Sequence, residues 1–298
     1  MEHSTEGVTR RDFIRGVGYA AVGGAAALPD ASREAHARQA TSRVVLIRDR
    51  HVVTDDGSLN ADVVRHMLDE AMVALFGIET PSDCWKAMIR PDDIVGIKTN
   101  VWNNLPTPAE VEDWIRRGLH DAGVPADNIG IGDRDVLRQD IFHRTTALIN
   151  TRPMRTHAWS GVGSLIKNYI MFDRPSDYHA DACADLAKLW QLPIVKDKTR
   201  LNVLVMLTPQ FHNVGPHHFD RAYVWSYRGL IVSTDPVAAD AVGLRIIQQQ
   251  RRRAFGEDRP LRPTAHHIAL ADTEHHLGNA DMRRIDLVRL GWEEDSLI

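Results

Sequence analysis

Ile94-Val95-Gly96-Ile97-Lys98-Thr99-Asn100, continued by Thr107-Pro108-Ala109-Glu110 and by Asn128-Ile129-Gly130-Ile131-Gly132-Asp133, is the stretch whose reading decides the fold. Ile94 to Ile97 is a short, apolar, β-branched run of the kind a strand buried on both faces requires. Thr107 to Glu110 has the spacing of a capping box with proline at the first helical position. The helix it opens sets Val111, Trp114, Ile115 and Leu119 on one face and stops at Gly123. Asn128 to Gly132 then reads as another strand. A strand–helix–strand unit of this length predicts two parallel strands joined by a right-handed crossover.

The same alternation recurs outward from this unit. Val44 to Ile47 is a strand, and Asn60 caps a helix that carries Val64, Met67, Leu68, Met72 and Leu75 on one face and ends at Gly77. Leu201 to Leu207 and Leu230 to Ser233 are two more strands. Thr234-Asp235-Pro236-Val237 places an N-cap and an N1 proline after the second of them. A helix over Ala265 to Leu277 and a strand at Ile285 to Val288 complete the series. The pattern predicts an α/β fold with a mostly parallel sheet and helices on both faces, in Rossmann-like layering, as one domain over residues 43–298.

Ahead of that domain, Thr9-Arg10-Arg11-Asp12-Phe13-Ile14-Arg15 and the small, uncharged run Gly16 to Leu28 have the parts of a twin-arginine export signal. Residues 1–29 are expected to be the signal peptide and residues 30–42 a linker. The protein is therefore expected to meet the twin-arginine translocase and to work in the periplasm or another extracytoplasmic space. That route carries folded proteins, which suits a cofactor acquired before export. After the signal, no stretch is apolar enough over ~20 residues to span a membrane. A net charge of −4 with scattered Lys and Arg lacks the basic face that nucleic acid requires. Arg251-Arg252-Arg253 reads as a solvated helix end. Two cysteines, Cys84 and Cys183, are too few to hold an iron–sulfur cluster in the usual way. A disulfide and two separate buried thiols both remain open. With 15 histidines, imidazole and carboxylate are the expected ligands of any transition metal, although the cofactor itself stays unknown.

In open parallel sheets, ligands collect where strands end and helix N-termini arrive. That rule gathers Lys98, Thr99 and Asn100, Asp133 and Asp135, and Thr234 and Asp235 on one expected edge. A buried lysine at a strand end needs an anionic partner. Ser160-Gly161-Val162-Gly163-Ser164, followed by Lys167-Asn168, reads as an anion-approaching glycine-rich loop, and the residues from His157 to His179 contain little that looks like core. His179 precedes a helical pattern, Asp181 to Trp190. His212-Asn213-Val214-Gly215-Pro216-His217-His218 offers imidazoles next to a turn. His266-His267 and His275-His276 read as a solvated helix face.

Val95 through Asn100, Ile131-Gly132-Asp133, Ser160-Gly161 through Lys167-Asn168, His179, Gly215-Pro216 and Thr234-Asp235-Pro236-Val237-Ala238-Ala239-Asp240 resemble, in this order, the family called domain of unknown function 362. The resemblance spans roughly Val44 to Leu290. It implies redox or metal-linked work, since some members carry ferredoxin-type cysteine motifs, which this chain lacks. The expected site has Lys98, Asp133 and Lys167 as catalytic residues, and Asn100, Asn168, Asp235 and Asp240 as ligand-binding residues. His179, His212 and His217 are the expected metal ligands. The expected function is binding of a metal or anionic small ligand at the carboxyl edge with redox or metal-assisted chemistry, with a redox partner protein among the candidate partners. The alternatives are a non-catalytic periplasmic binding or assembly partner of a redox complex, and a hydrolase.

Overall fold

The computed structural model describes residues 41–215 and 218–298. The twin-arginine stretch, nearly all of the linker and His217 lie outside the described residues. Eight strands form one mixed sheet: β1 (Ser42–Arg48), β2 (Val95–Lys98), β3 (Ile129–Gly132), β4 (Ala147–His157), β5 (Gly161–Gly163), β6 (Thr199–Gly215), β7 (Gly229–Ser233) and β8 (Ile285–Gly291). β1 begins at Ser42, one residue before the expected domain start. The sheet order is β3-β2-β4-β6-β7-β1-β8, with β5 paired to β4. The β2–β3, β2–β4, β4–β6 and β1–β8 pairs are parallel, whereas β7 is antiparallel to both neighbours and β5 to β4. This is a mostly parallel α/β sheet with apolar cores on both faces.

Alternation along the strands builds those cores. Val44 and Leu46 join one, and Val45 and Ile47 join the other. The second core is covered by α1 (Ala61–Phe76), α2 (Pro81–Met88) and α3 (Ala109–Asp121). The Asn60 side chain accepts from the Val63 amide, and Gly77 ends α1 at φ 65°, a left-handed C-cap that favours glycine. At Gly118 of α3 a Cβ would lie 2.0 Å from the Trp85 ring, so only glycine lets α3 pack there. The first core is covered by α4 (Pro236–Phe255) and α5 (His266–Thr273).

The capping box at Thr107 does not form. Pro108 is the cap residue of α3 and makes no side-chain cap bond. The Thr107 hydroxyl instead accepts from the Asn100 amide and donates to the Thr151 carbonyl, closing the loop that leaves β2.

Strand lengths create an overhang beside the end of β2. β2 ends at Lys98, opposite Asn150 of β4, but β4 continues to His157 and β6 to Gly215. Joined by β5, they form a three-stranded ribbon that overhangs the carboxyl ends of β2 and β3. The β4–β6 register jumps from Pro153↔Val205 to Arg155↔Gln210, a bulge that re-aims the ribbon side chains.

The direction of β7 corrects one expected placement. Ser233 lies opposite Asn202 near the start of β6, and the chain then runs toward the amino ends of β4 and β6. Asp235 is thus carried away from the Lys98 edge. It caps α4 by accepting from the Val237 and Ala238 amides, and it also accepts from Ser42 and Asn279. Its carboxylate is spent on architecture.

Candidate functional site: a buried cationic edge

Lys98, at the end of β2, is fully buried. Its ammonium donates to Asp133 Oδ1 at 2.5 Å, to the Thr99 carbonyl at 2.7 Å and to Asn168 Oδ1 at 3.5 Å, so all three protons have acceptors. Burial pushes the Lys98 amine down, and Asp133 opposes that. Burial alone would raise Asp133, but Lys98 holds its carboxyl below the ordinary value. The other Asp133 oxygen accepts from the Val101 amide. Asn168 ties the end of β2 to the middle of β4, donating to the Lys98 and Thr151 carbonyls and to Asn150 Oδ1. The expected grouping of Lys98, Asp133 and Asn168 is present, and its members largely satisfy one another.

The residues that sequence reasoning missed sit on the overhang. Arg152 and Arg155 are 3% and 5% exposed, which places two guanidinium ions in the interior. Arg152 donates to the Ser164 and Pro153 carbonyls. A Cβ at Gly163 would lie 2.7 Å from Arg152 Nη2 and 3.0 Å from Arg155 Nη1, so both guanidinium groups converge on this glycine. The Arg155 guanidinium carbon lies 4.1 Å from the Trp102 ring centroid, in cation–π contact. Its Nε and Nη1 have no hydrogen-bond partner among the described residues. Burial, together with the charge of Arg152, pushes the Arg155 guanidinium well below its usual range.

Lys167 closes the group. It lies in the short helical turn Leu165–Asn168, and its Nζ is 3.5 Å from Cys183 Sγ. Burial lowers the Lys167 amine to about 8, while the Lys167 charge partly offsets the rise that burial gives the Cys183 thiol. His157, at the end of β4, is held neutral by burial and by Lys167 and Arg155. Half-exposed Trp159 stacks on His179 with centroids 4.2 Å apart. The expected helix at Asp181 is a kinked 3₁₀ stretch, with positive φ at Asp181, Ala182 and Cys183. Positive φ at three successive non-glycine residues is a costly backbone path, and this path brings the thiol to Lys167.

Asp240 positions the turn. Its oxygens accept from the Leu165 and Ile166 amides, and burial raises its carboxyl to about 7. The glycine-rich segment is therefore no loose loop: Ser160 to Ile170 is buried throughout. His267, expected on a solvated face, is also fully buried, with Nε2 3.4 Å from Ser164 Oγ. Asn100 stands in the loop after β2 with its Oδ1 buried and unpartnered.

The histidines do not assemble a metal centre among the described residues, where no group of three or more His, Cys, Asp or Glu side chains is placed to hold an ion. His212 lines a separate cavity of about 480 Å³ with Arg251 and Arg259, and its Nδ1 faces Arg251 Nη1 at 3.1 Å. Cys84 belongs to one core and Cys183 to the other, and both are free thiols. No helix of the described residues is long and apolar enough to cross a membrane. No family model, curated protein or solved structure matches the chain.

Proposed function

We propose that this is an exported protein that binds a small anionic ligand under the β4–β5–β6 overhang and carries out proton-transfer chemistry there. The carrying observation is the charge balance. Lys98, Arg152, Arg155 and Lys167 are buried around two buried carboxylates, of which Asp133 is engaged by Lys98 and Asp240 by backbone amides. Uncompensated buried cations are costly, and an anion entering the site would offset that cost. Arg155, with two unmatched guanidinium nitrogens, is the anchor. Burial lowers both Lys98 and Lys167 to about 8, but Lys98 is ion-paired to Asp133, which leaves Lys167 as the group best suited to exchange a proton near neutral pH. Lys98 and Asp133 hold the edge in shape. The described residues do not fit a metal ion, so no step is routed through one.

Export is proposed on the Thr9 to Leu28 signal. Changing Arg10 and Arg11 together to Lys is expected to leave the protein in the cytoplasm, as read by cell fractionation. The site is tested by calorimetric titration of the mature protein at low salt with inorganic phosphate, sulfate and short carboxylates. Saturable binding that is lost in Arg155→Met supports the reading, and absence of binding by every oxyanion refutes it.

A further inference from the structure

Gln210 is fully buried, and neither its side-chain Nε2 nor its Oε1 has a hydrogen-bond partner among the described residues. It is the register partner of Arg155 across the β4–β6 pair. The two backbone positions are opposed between two register shifts of the β4–β6 pair, so Gln210 starts from the position next to the arginine whose Nε and Nη1 are also unmatched. Trp102 covers Arg155, and Phe219 packs edge-on against Trp102 with centroids 5.4 Å apart. Unmatched polar atoms at this depth are rare and costly, and here they occur as a pair.

We propose that Arg155 and Gln210 form a two-part recognition subsite for an organic oxyanion that carries a hydroxyl next to its charged group. This rests on the anion-binding reading above and narrows it. The guanidinium N–H groups and the Gln210 amide N–H groups are donors, which an oxyanion satisfies. Gln210 Oε1 is an acceptor and needs a donor from the ligand. A fully ionised simple oxyanion such as sulfate has none to give. An ammonium group would supply one, but Lys167, Arg155 and Arg152 all act electrostatically on this end of β4, and a further cation is disfavoured there. A neutral hydroxyl meets the requirement without adding charge. Hydroxycarboxylates and the phosphate monoesters of polyols share this chemistry.

The test is calorimetric titration of the mature, full-length protein, at a pH where the phosphate monoesters are dianions, with glycerate, glycerol phosphate, propionate, propyl phosphate and alanine. Glycerate or glycerol phosphate is expected to bind roughly tenfold tighter than its hydroxyl-free counterpart, propionate or propyl phosphate, and alanine not at all, because the deoxy ligand leaves Oε1 unmatched. Whichever of the two hydroxylated probes binds tighter identifies the source of the oxyanion. In Gln210→Leu that tenfold preference is expected to collapse to about one, because the acceptor is gone while both kinds of probe lose the same amide donors. Equal binding of hydroxylated and hydroxyl-free probes to the unaltered protein overturns the subsite and leaves the anion site standing. Failure of every probe overturns both. The comparison within the unaltered protein does not depend on any variant folding.

Discussion

Two buried arginines at opposite sides of the same long strand show what the interior of this protein tolerates and why. Arg251, just before the last turn of α4, is 6% exposed and donates to the carbonyls of Phe211, Arg259 and Pro260 and to the His212 imidazole. Arg155 is 5% exposed and leaves Nε and Nη1 unmatched. Their burial is equal, but their solvation is opposite. The first cation has its water replaced by protein acceptors and serves as a structural tie. The second has only an aromatic face and another guanidinium beside it. An interior that can satisfy Arg251 so fully leaves Arg155 unmatched only where something other than the fold uses it.

The contrast can be broken most forcefully at the satisfied ion pair on the site side. Asp133→Asn strands the Lys98 ammonium in a fully buried position, and a loss of about 3–5 kcal/mol is expected in urea unfolding. Next in size is Arg251→Met, which keeps the bulk but leaves three carbonyls and an imidazole without donors. A loss of about 2–4 kcal/mol is expected, with anion binding intact.

A smaller effect comes from pH. The folded-state value of Asp240, about 7, lies above its ordinary 3.8, so the protonated carboxyl favours the folded state. That contribution is complete below about pH 4 and disappears as pH rises through about 7, with a slope of no more than ~1.4 kcal/mol per pH unit. Urea midpoints measured from pH 4 to 8 in the parent and in Asp240→Asn isolate it; if both change alike, Asp240 is not the titrating group. The smallest stability change is expected at the unmatched arginine. Arg155→Met should alter stability by no more than about 1 kcal/mol, because no satisfied hydrogen bond is lost, while oxyanion binding disappears. A large destabilisation there would erase the distinction between the two arginines.

Much of the sheet was legible because both faces of its strands are apolar and its helices carry caps. Asn60, Gly77 and Asp235 act as their residue types predict. The capping box at Thr107 was misread because two tertiary partners, Asn100 and Thr151, outcompete the helix terminus for its hydroxyl. β4 escaped recognition because Asn150, Arg152 and Arg155 interrupt the apolar pattern by which a buried strand is recognised. Ser160 to Ser164 reads as a glycine-rich loop and Arg251 as part of a solvated helix end for the same reason: their burial follows from packing by distant segments, which local polarity does not report.

The sequence by itself determined the α/β class, the order of most strands and helices, and the placing of Lys98 and Asp133 at the ends of strands, because strand ends and helix starts are written in local spacing. Only the tertiary structure decided which ends share an edge. The antiparallel turn of β7 removed Asp235 from the site, and the overhang of β4 and β6 brought Arg152, Arg155 and Gln210 to it. Strand direction and burial are set by long-range pairing, and it is burial that leaves an ordinary arginine with unmatched guanidinium nitrogens.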